Sequence, residues 1–487
     1  MVFDTLIKIN MNDNSFTPRL AKSWEVSTDA KTYTFTIADN IKWHDGVAFT
    51  AEDVLFSFNA MMRLPEGMFK SYFSKVQGAQ EVLDGKATTL TGVTVSGNKV
   101  IIALSAPDNY FLKAMCIFNM LPKHLLKDVD PTLLAKNETF WKKPIGTGPY
   151  YIDEVSFPNY FTLQRFDGYN GKKANIKKVL FTSYATGKNE AVIAAAMDGK
   201  IDFATGNSVN DSAIAKQINT KLSDMKIMTV PSSYNRQLWV NTVGSKDGKH
   251  NDAMKKVEVR QALNLLLDKE AISALYKGQA VALSTFINPG DRAYNMSIPL
   301  FKRNVAEAKT MLTKAGFDFT KSVRILYYYT DQTTIDIMEM IKQNFAEAGV
   351  KAEPFLATGD LASIIYTVKN WDLMYAGAGN PDPIKMYTNL VPDNGVVDGL
   401  YGDIDLRTKV FGTLLSKYSD TLDAAEDKKI GDEIQLESNK YCYVMPVYGL
   451  NKIYLYNSAK LKLDEKIYSA DLFGMCDYMF EKWELLK

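Results

Sequence analysis

Leu20-Ala21-Lys22-Ser23-Trp24-Glu25-Val26, Lys31-Thr32-Tyr33-Thr34-Phe35-Thr36-Ile37, Trp43-His44-Asp45-Gly46 and Thr50-Ala51-Glu52-Asp53-Val54 follow one another across residues 20–54. Tyr33, Phe35 and Ile37 alternate with threonines, which predicts a strand with one apolar and one wet face. Gly46 after Asp45 closes a turn. Thr50 and Asp53 have the spacing of a capping box, and Val54, Leu55 and Phe58 form the buried stripe of the helix that follows. Taken alone, the pieces describe a strand–turn–helix unit of an ordinary domain.

Their order and spacing resembles the signature of extracellular solute-binding protein family 5, the large solute-binding proteins of ABC importers, which includes peptide- and nickel-binding members. Further stretches extend the resemblance in the same order. Pro144-Ile145-Gly146-Thr147-Gly148-Pro149-Tyr150 is a fixed bend. Asp198-Gly199-Lys200-Ile201-Asp202-Phe203 joins a Gly-capped helix to a strand. Lys256-Val257-Glu258-Val259-Arg260-Gln261-Ala262-Leu263-Asn264 and Asp268-Lys269-Glu270-Ala271-Ile272 form the second strong signature. The resemblance runs from residue 1 to about 487.

The chain of 487 residues is long enough for about three domain-sized units. Hydrophobic residues make up 46% and charged residues 23%, the balance of a soluble globular protein. Lys+Arg total 57 and Asp+Glu 56, a net charge of +1, so no global field gathers nucleic acid or an anionic membrane. Aromatics reach 12%, with 26 Tyr and 25 Phe, enough to pack cores and also furnish a cleft that stacks on ligands. Cys116, Cys442 and Cys476 show no metal spacing; buried thiols are expected, with a Cys442–Cys476 pair as the alternative. No run approaches the ~18–20 apolar residues of a membrane span.

The start, Met1-Val2-Phe3-Asp4-Thr5-Leu6, has no basic region, apolar stretch or cleavage site of a secretory signal. The resemblance implies a strand, a linker and an export signal before it. It therefore implies a periplasmic or cell-surface protein, tethered to the membrane only through that preceding segment.

Helices over 51–62, Asn189–Met197, Val305–Ala315 and Ile335–Ala348 alternate with strand-like runs at Val323–Tyr329 and Val350–Leu356. That alternation predicts α/β layers with substantial parallel pairing. Phosphate binding at Gly146-Thr147-Gly148 is not expected, because no Gly-Lys-Ser/Thr follows. The resemblance implies a two-lobed, periplasmic-binding-protein-like clamp of the cluster C type, with an additional N-terminal α/β subdomain. Lobe one would comprise 1–20, 145–238 and 447–487, the subdomain 21–144 and lobe two 239–446. Crossings near 239–241 and 445–447 would form the hinge. Arg260 is expected to pair with a carboxylate or carbonyl.

The same resemblance supplies the candidate site. The strand Trp371-Asp372-Leu373-Met374-Tyr375 leads into Ala376-Gly377-Ala378-Gly379-Asn380-Pro381-Asp382-Pro383, whose small residues let backbone approach a ligand, or else form an ordinary turn. Peptide binders of the family often place an aspartate near Gly377 or Ala378, where it pairs with the peptide's free amine; here no carboxylate precedes Asn380 after Asp372, and Asp382 would substitute only with a shifted loop. Dipeptide binders carry an arginine near Tyr328, which offers stacking and one hydroxyl instead. On Ser233–Asn241, alternation puts Tyr234, Arg236 and Leu238 on one face and Asn235, Gln237 and Trp239 on the other. Tyr234, Gln237, Trp239, Tyr328, Tyr375, Gly377, Ala378, Asn380, Asp382, Tyr448 and Asn119 complete the candidate set. Asn119 reads equally as a satisfied turn residue.

His44, His124 and His250 fall in no metal or triad motif, no Gly-x-Ser-x-Gly elbow is present, and neither a cofactor nor a metal is implied. The expected function is an importer's receptor, monomeric, that captures an organic solute and passes it to the permease subunits with their ATPases. An oligopeptide or peptide-like solute is expected, with an oligosaccharide as the alternative. A reading from another class is an intracellular hydrolase with an aromatic cleft.

Overall fold

The computed structural model describes residues 1–487 apart from 10–14, 66, 68, 185–188, 205–211, 300–301, 381, 393–397, 422, 464–481 and 487. Strands Ala21–Val26, Thr32–Ile37, Lys99–Ala103 and Val93–Ser96 lie side by side in that order in an antiparallel sheet. The alternation read from the sequence is realised: Tyr33, Phe35 and Ile37 are buried together with Val54 and Phe58 of the helix Ala51–Met62. Asp53 closes the capping box by accepting the Thr50 N–H at 2.8 Å, and its other oxygen accepts the Lys123 N–H at 3.0 Å.

His44 ties this unit to the Pro144–Tyr150 bend. Its Nδ1 accepts the Gly146 N–H at 3.2 Å, which leaves Nε2 as donor to the Gly148 carbonyl at 2.9 Å. A Cβ on Gly146 or Gly148 would overlap the backbone of Val2 or Met1, which explains both glycines without any phosphate. A second antiparallel sheet joins Tyr150–Ser156, Tyr160–Arg165 and Lys178–Thr182. A third places Lys452–Asn457 between Phe203–Ala204 and Met225–Val230.

The largest sheet has six strands in the order Ala280–Ala282, Val444–Leu450, Asn235–Val240, Leu373–Ala378, Val323–Tyr327, Ala352–Leu356. The last three pair in parallel, as the alternation of helices and strands requires. Leu238, Ile325, Leu373 and Tyr375 point to one face, against helices Val257–Leu266, Val305–Lys314 and Gln332–Ala346. Trp239, Leu326, Met374 and Ala376 point to the other, against Pro383–Leu390, Thr413–Asp420 and Ala424–Tyr441. Gly316 and Gly349 end two of the helices at φ +64° and +85°, where a Cβ is disfavoured.

Arg260, 2% exposed, spends its guanidinium on carbonyls: Tyr441 at 2.9 and 2.7 Å, Met254 at 3.0 Å and Lys255 at 2.9 Å. It thereby ties the helix Val257–Leu266 to the end of Ala424–Tyr441. Cys442 caps that end, buried in a left-handed conformation; its suggested partner Cys476 lies outside the described residues.

Between the three-stranded sheet of Met225–Val230 and Lys452–Asn457 and the six-stranded sheet, the chain passes twice, at 231–234 and at Asn451. The residues at the expected crossings near 239–241 and 445–447 lie on or beside strands of this sheet, where Trp239 pairs with Met374 and Leu238 with Met445.

Candidate ligand-binding site

The two passages leave the six-stranded sheet from the same end. At that end lie the carboxyl ends of Val323–Tyr327, Leu373–Ala378 and Val444–Leu450 and the amino end of Asn235–Val240. The carboxyl ends of parallel strands are where open α/β sheets bind ligands.

Arg236 occupies the centre of this end. Its guanidinium lies 3.7 Å from the ring centroid of Tyr329 and 5.1 Å from that of Tyr234, and its Nη1 donates to the Tyr234 hydroxyl at 2.6 Å. Tyr375 and Tyr448 form a floor beneath, both fully buried and joined hydroxyl to hydroxyl, and Tyr448 meets the Tyr276 hydroxyl at 2.8 Å. Tyr329 stands edge-on to Tyr375 and packs on Tyr328 with centroids 4.4 Å apart. Its hydroxyl accepts the Gly377 N–H and donates to Tyr328, both at 3.1 Å.

Burial pushes the Tyr234 hydroxyl up to about 12 and those of Tyr276, Tyr329, Tyr375 and Tyr448 upward as well, so at neutral pH all are uncharged donors. Burial works against the Arg236 charge, and Tyr329, Tyr234, Tyr375 and Tyr448 act in its favour. Among the described residues no carboxylate stands within ion-pair distance of it, and its Nε is buried without a partner. A half-buried guanidinium with an unpartnered N–H has hydrogen-bonding capacity to spare.

The sheet end brings Tyr234, Tyr328, Tyr375, Gly377 and Tyr448 into one cluster, with Ala378 next along the strand. Gly377 leaves room there for the Tyr234 hydroxyl and the Arg236 guanidinium, which a Cβ would oblige to move aside. Gln237 and Trp239 belong elsewhere: 2% and 8% exposed, they point to the opposite face, and Trp239 sits in that face's core. Asn380 accepts the Asp382 N–H at 3.0 Å, shaping the loop. Asp382 is 2% exposed and already engaged, accepting from the Tyr418 hydroxyl, the Ile384 N–H at 3.1 Å and Lys113 Nζ at 3.3 Å. Asn119 is exposed between the buried Phe118 and Met120 of the four-stranded unit.

Arg236, Tyr329 and Tyr276 are the residues that sequence reasoning did not select. The signal for Arg236 was present, because alternation puts it on the face of Tyr234. Arg324 lies at the far end of its strand, paired with Asp247 at 2.6 Å.

Two sheets joined by two chain crossings make a two-lobed architecture, and comparison with solved structures shows the same fold. The ABC transporter substrate-binding protein CtaP of Listeria monocytogenes superposes with a TM-score of 0.78 at 23% identity, covering 100% of this chain and 93% of its own. The family model of bacterial extracellular solute-binding proteins, family 5 Middle, matches residues 15–396, and the chain belongs to that family. A Brucella ovis protein provisionally assigned as an ABC transporter peptide-binding protein is 28% identical over 381 residues, 76% of this chain and 67% of the relative. The dipeptide-binding protein of Escherichia coli is 27% identical over 378 residues, 72% of this chain and 65% of the relative. Family members work outside the cytoplasm with the permease and ATPase subunits of ABC importers. Among the described residues no helix is long and apolar enough to cross a membrane.

Proposed function

We propose that this protein is the extracytoplasmic receptor of an ABC importer and that it captures a peptide or peptide-like solute through the solute's carboxylate. The observation that carries the ligand class is Arg236, a cation without a carboxylate of its own, ringed by tyrosines at the carboxyl ends of the strands. A carboxylate can take two parallel N–H bonds from a guanidinium, and the rings of Tyr328 and Tyr329 provide faces for neighbouring side chains. The names of the Brucella and Escherichia relatives agree with a peptide ligand.

In this reading lobe two is built on the six-stranded sheet, and the passages at 231–234 and Asn451 are the hinge. Solute held between the lobes favours the closed form, which the permease then distinguishes from the open one.

The test is a thermal-shift screen with pooled peptides, each offered with a free and with an amidated C-terminus, alongside neutral oligosaccharides. A ligand at 100 times its Kd stabilises by about 2.7 kcal/mol. Free-acid peptides are expected to raise Tm and their amides to fail. Equal shifts for acid and amide, or a shift with oligosaccharides alone, overturn the assignment.

A further inference from the structure

Away from the tyrosine cluster, a second set of contacts joins two separate hydrophobic cores. One is the core of the four-stranded unit, which includes Tyr110, Phe111 and Met115; the other contains Ile384, Tyr418 and Ile430, on the second face of the six-stranded sheet. Between them the contacts are polar. Lys113 Nζ reaches the buried Asp382 at 3.3 Å. Lys385 pairs with Asp108 at 3.4 Å and lies 4.5 Å from the Tyr110 ring centroid. Asn109 donates from its backbone to the Ser419 carbonyl at 2.9 Å, and from its side chain to the Tyr418 carbonyl and to Asp427 at 2.8 Å. At the edge, Lys75 faces Asp420 at 3.6 Å.

The charges are unevenly divided. Asp382, Asp427 and Asp291, all on the lobe-two side, act together on Lys113, which comes from the other side. Separation of the two bodies would strip that acid-rich pocket of Lys113 and return both to water. Polar interfaces between separate cores reopen at modest cost, because water replaces each hydrogen bond.

We infer that the Asp108–Lys113 segment and its partners Asp382, Lys385, Tyr418 and Asp427 form a latch that holds the lobes closed. The inference rests on the clamp reading above, and it concerns residues that do not line the tyrosine cluster. Asp382 is held in place on its own side by the Tyr418 hydroxyl and the Ile384 N–H, so the latch is complete without ligand, and its loss shifts the population toward the open form.

The test needs no ligand. Small-angle X-ray scattering of the ligand-free protein is compared for wild type, Lys113→Met, Asn109→Ala and the double variant, with circular dichroism as the check on folding. Lys385→Gln serves as a milder variant should the others fail to fold. The closed fraction is expected to fall at least tenfold in the double variant, seen as a larger radius of gyration. Scattering identical to wild type in folded variants overturns the latch. Because no ligand is used, this result stands whether or not the peptide screen succeeds; a working latch with no peptide binding would reject the ligand class and leave the clamp.

Discussion

The guanidinium of Arg236 lies over the face of Tyr329, 3.7 Å from the ring centroid, and the hydroxyl of that ring accepts the Gly377 N–H. Three strands are thus held at one point by a cation, a ring and a backbone amide. Replacing Arg236 by Gln keeps a donor but removes the charge. The expected result is a loss of about 1.5–3 kcal/mol in binding of free-acid peptides, roughly 10- to 100-fold in Kd, with amidated peptides unaffected. Isothermal titration calorimetry with one acid/amide pair measures it. Equal losses for both members would assign Arg236 a purely structural role.

Gly377→Ala tests the packing from the other side. Its backbone is ordinary strand, so the added methyl acts only by overlap with Tyr234 and Arg236. A stability loss of about 1–3 kcal/mol is expected from overpacking, together with weaker binding as the guanidinium is displaced. Urea unfolding and calorimetry on one preparation separate the two effects. An unchanged midpoint would mean that the cluster has room to yield.

Arg260→Leu removes a buried cation bonded to the carbonyls of Tyr441, Met254 and Lys255. A penalty of about 3 kcal/mol or more is expected, since those carbonyls lose their donor in a dry setting. Ligand affinity at a temperature where the variant is folded should match wild type. A Kd raised tenfold would instead place Arg260 in recognition.

His44 makes acid stability depend on a neutral ring. Burial pushes its pKa down to about 4 in the folded protein, against about 6.5 unfolded. Between those values the unfolded chain binds a proton that the folded chain excludes, so stability rises with pH in that window. The contribution is complete above about pH 6.5 and is lost as pH falls toward 4. Melting temperatures measured from pH 7 to 4.5 should drop more steeply for wild type than for His44→Gln. Parallel curves would show that the ring is protonated without penalty.

What the sequence revealed is what neighbours in sequence decide. The Thr50–Asp53 box, the alternation of Tyr33, Phe35 and Ile37, and the glycine stops at Gly316 and Gly349 each depend on a few adjacent residues. The site depends on register and strand order. Alternation separated Tyr234 and Arg236 from Gln237 and Trp239, yet nothing local says which face meets Tyr329 and Tyr375; that follows from Arg236 pairing with Gly377 and Tyr448. Asp382 entered the candidate set because its partner Lys113 stands 269 positions away in the chain and no local pattern announces the pair.

The fit at Gly377 carries an evolutionary consequence. In this packing a side chain at 377 needs the Arg236 guanidinium and the Tyr234 hydroxyl to move aside, since a Cβ there would come too close to both. An acidic group gained at 377 would be at once a crowding neighbour and an ion-pair partner for the guanidinium, so it would occupy the charge that solute would otherwise find. Substitutions at 236 and 377 are therefore coupled, and a directed-evolution experiment that varies both should find their effects on solute preference non-additive.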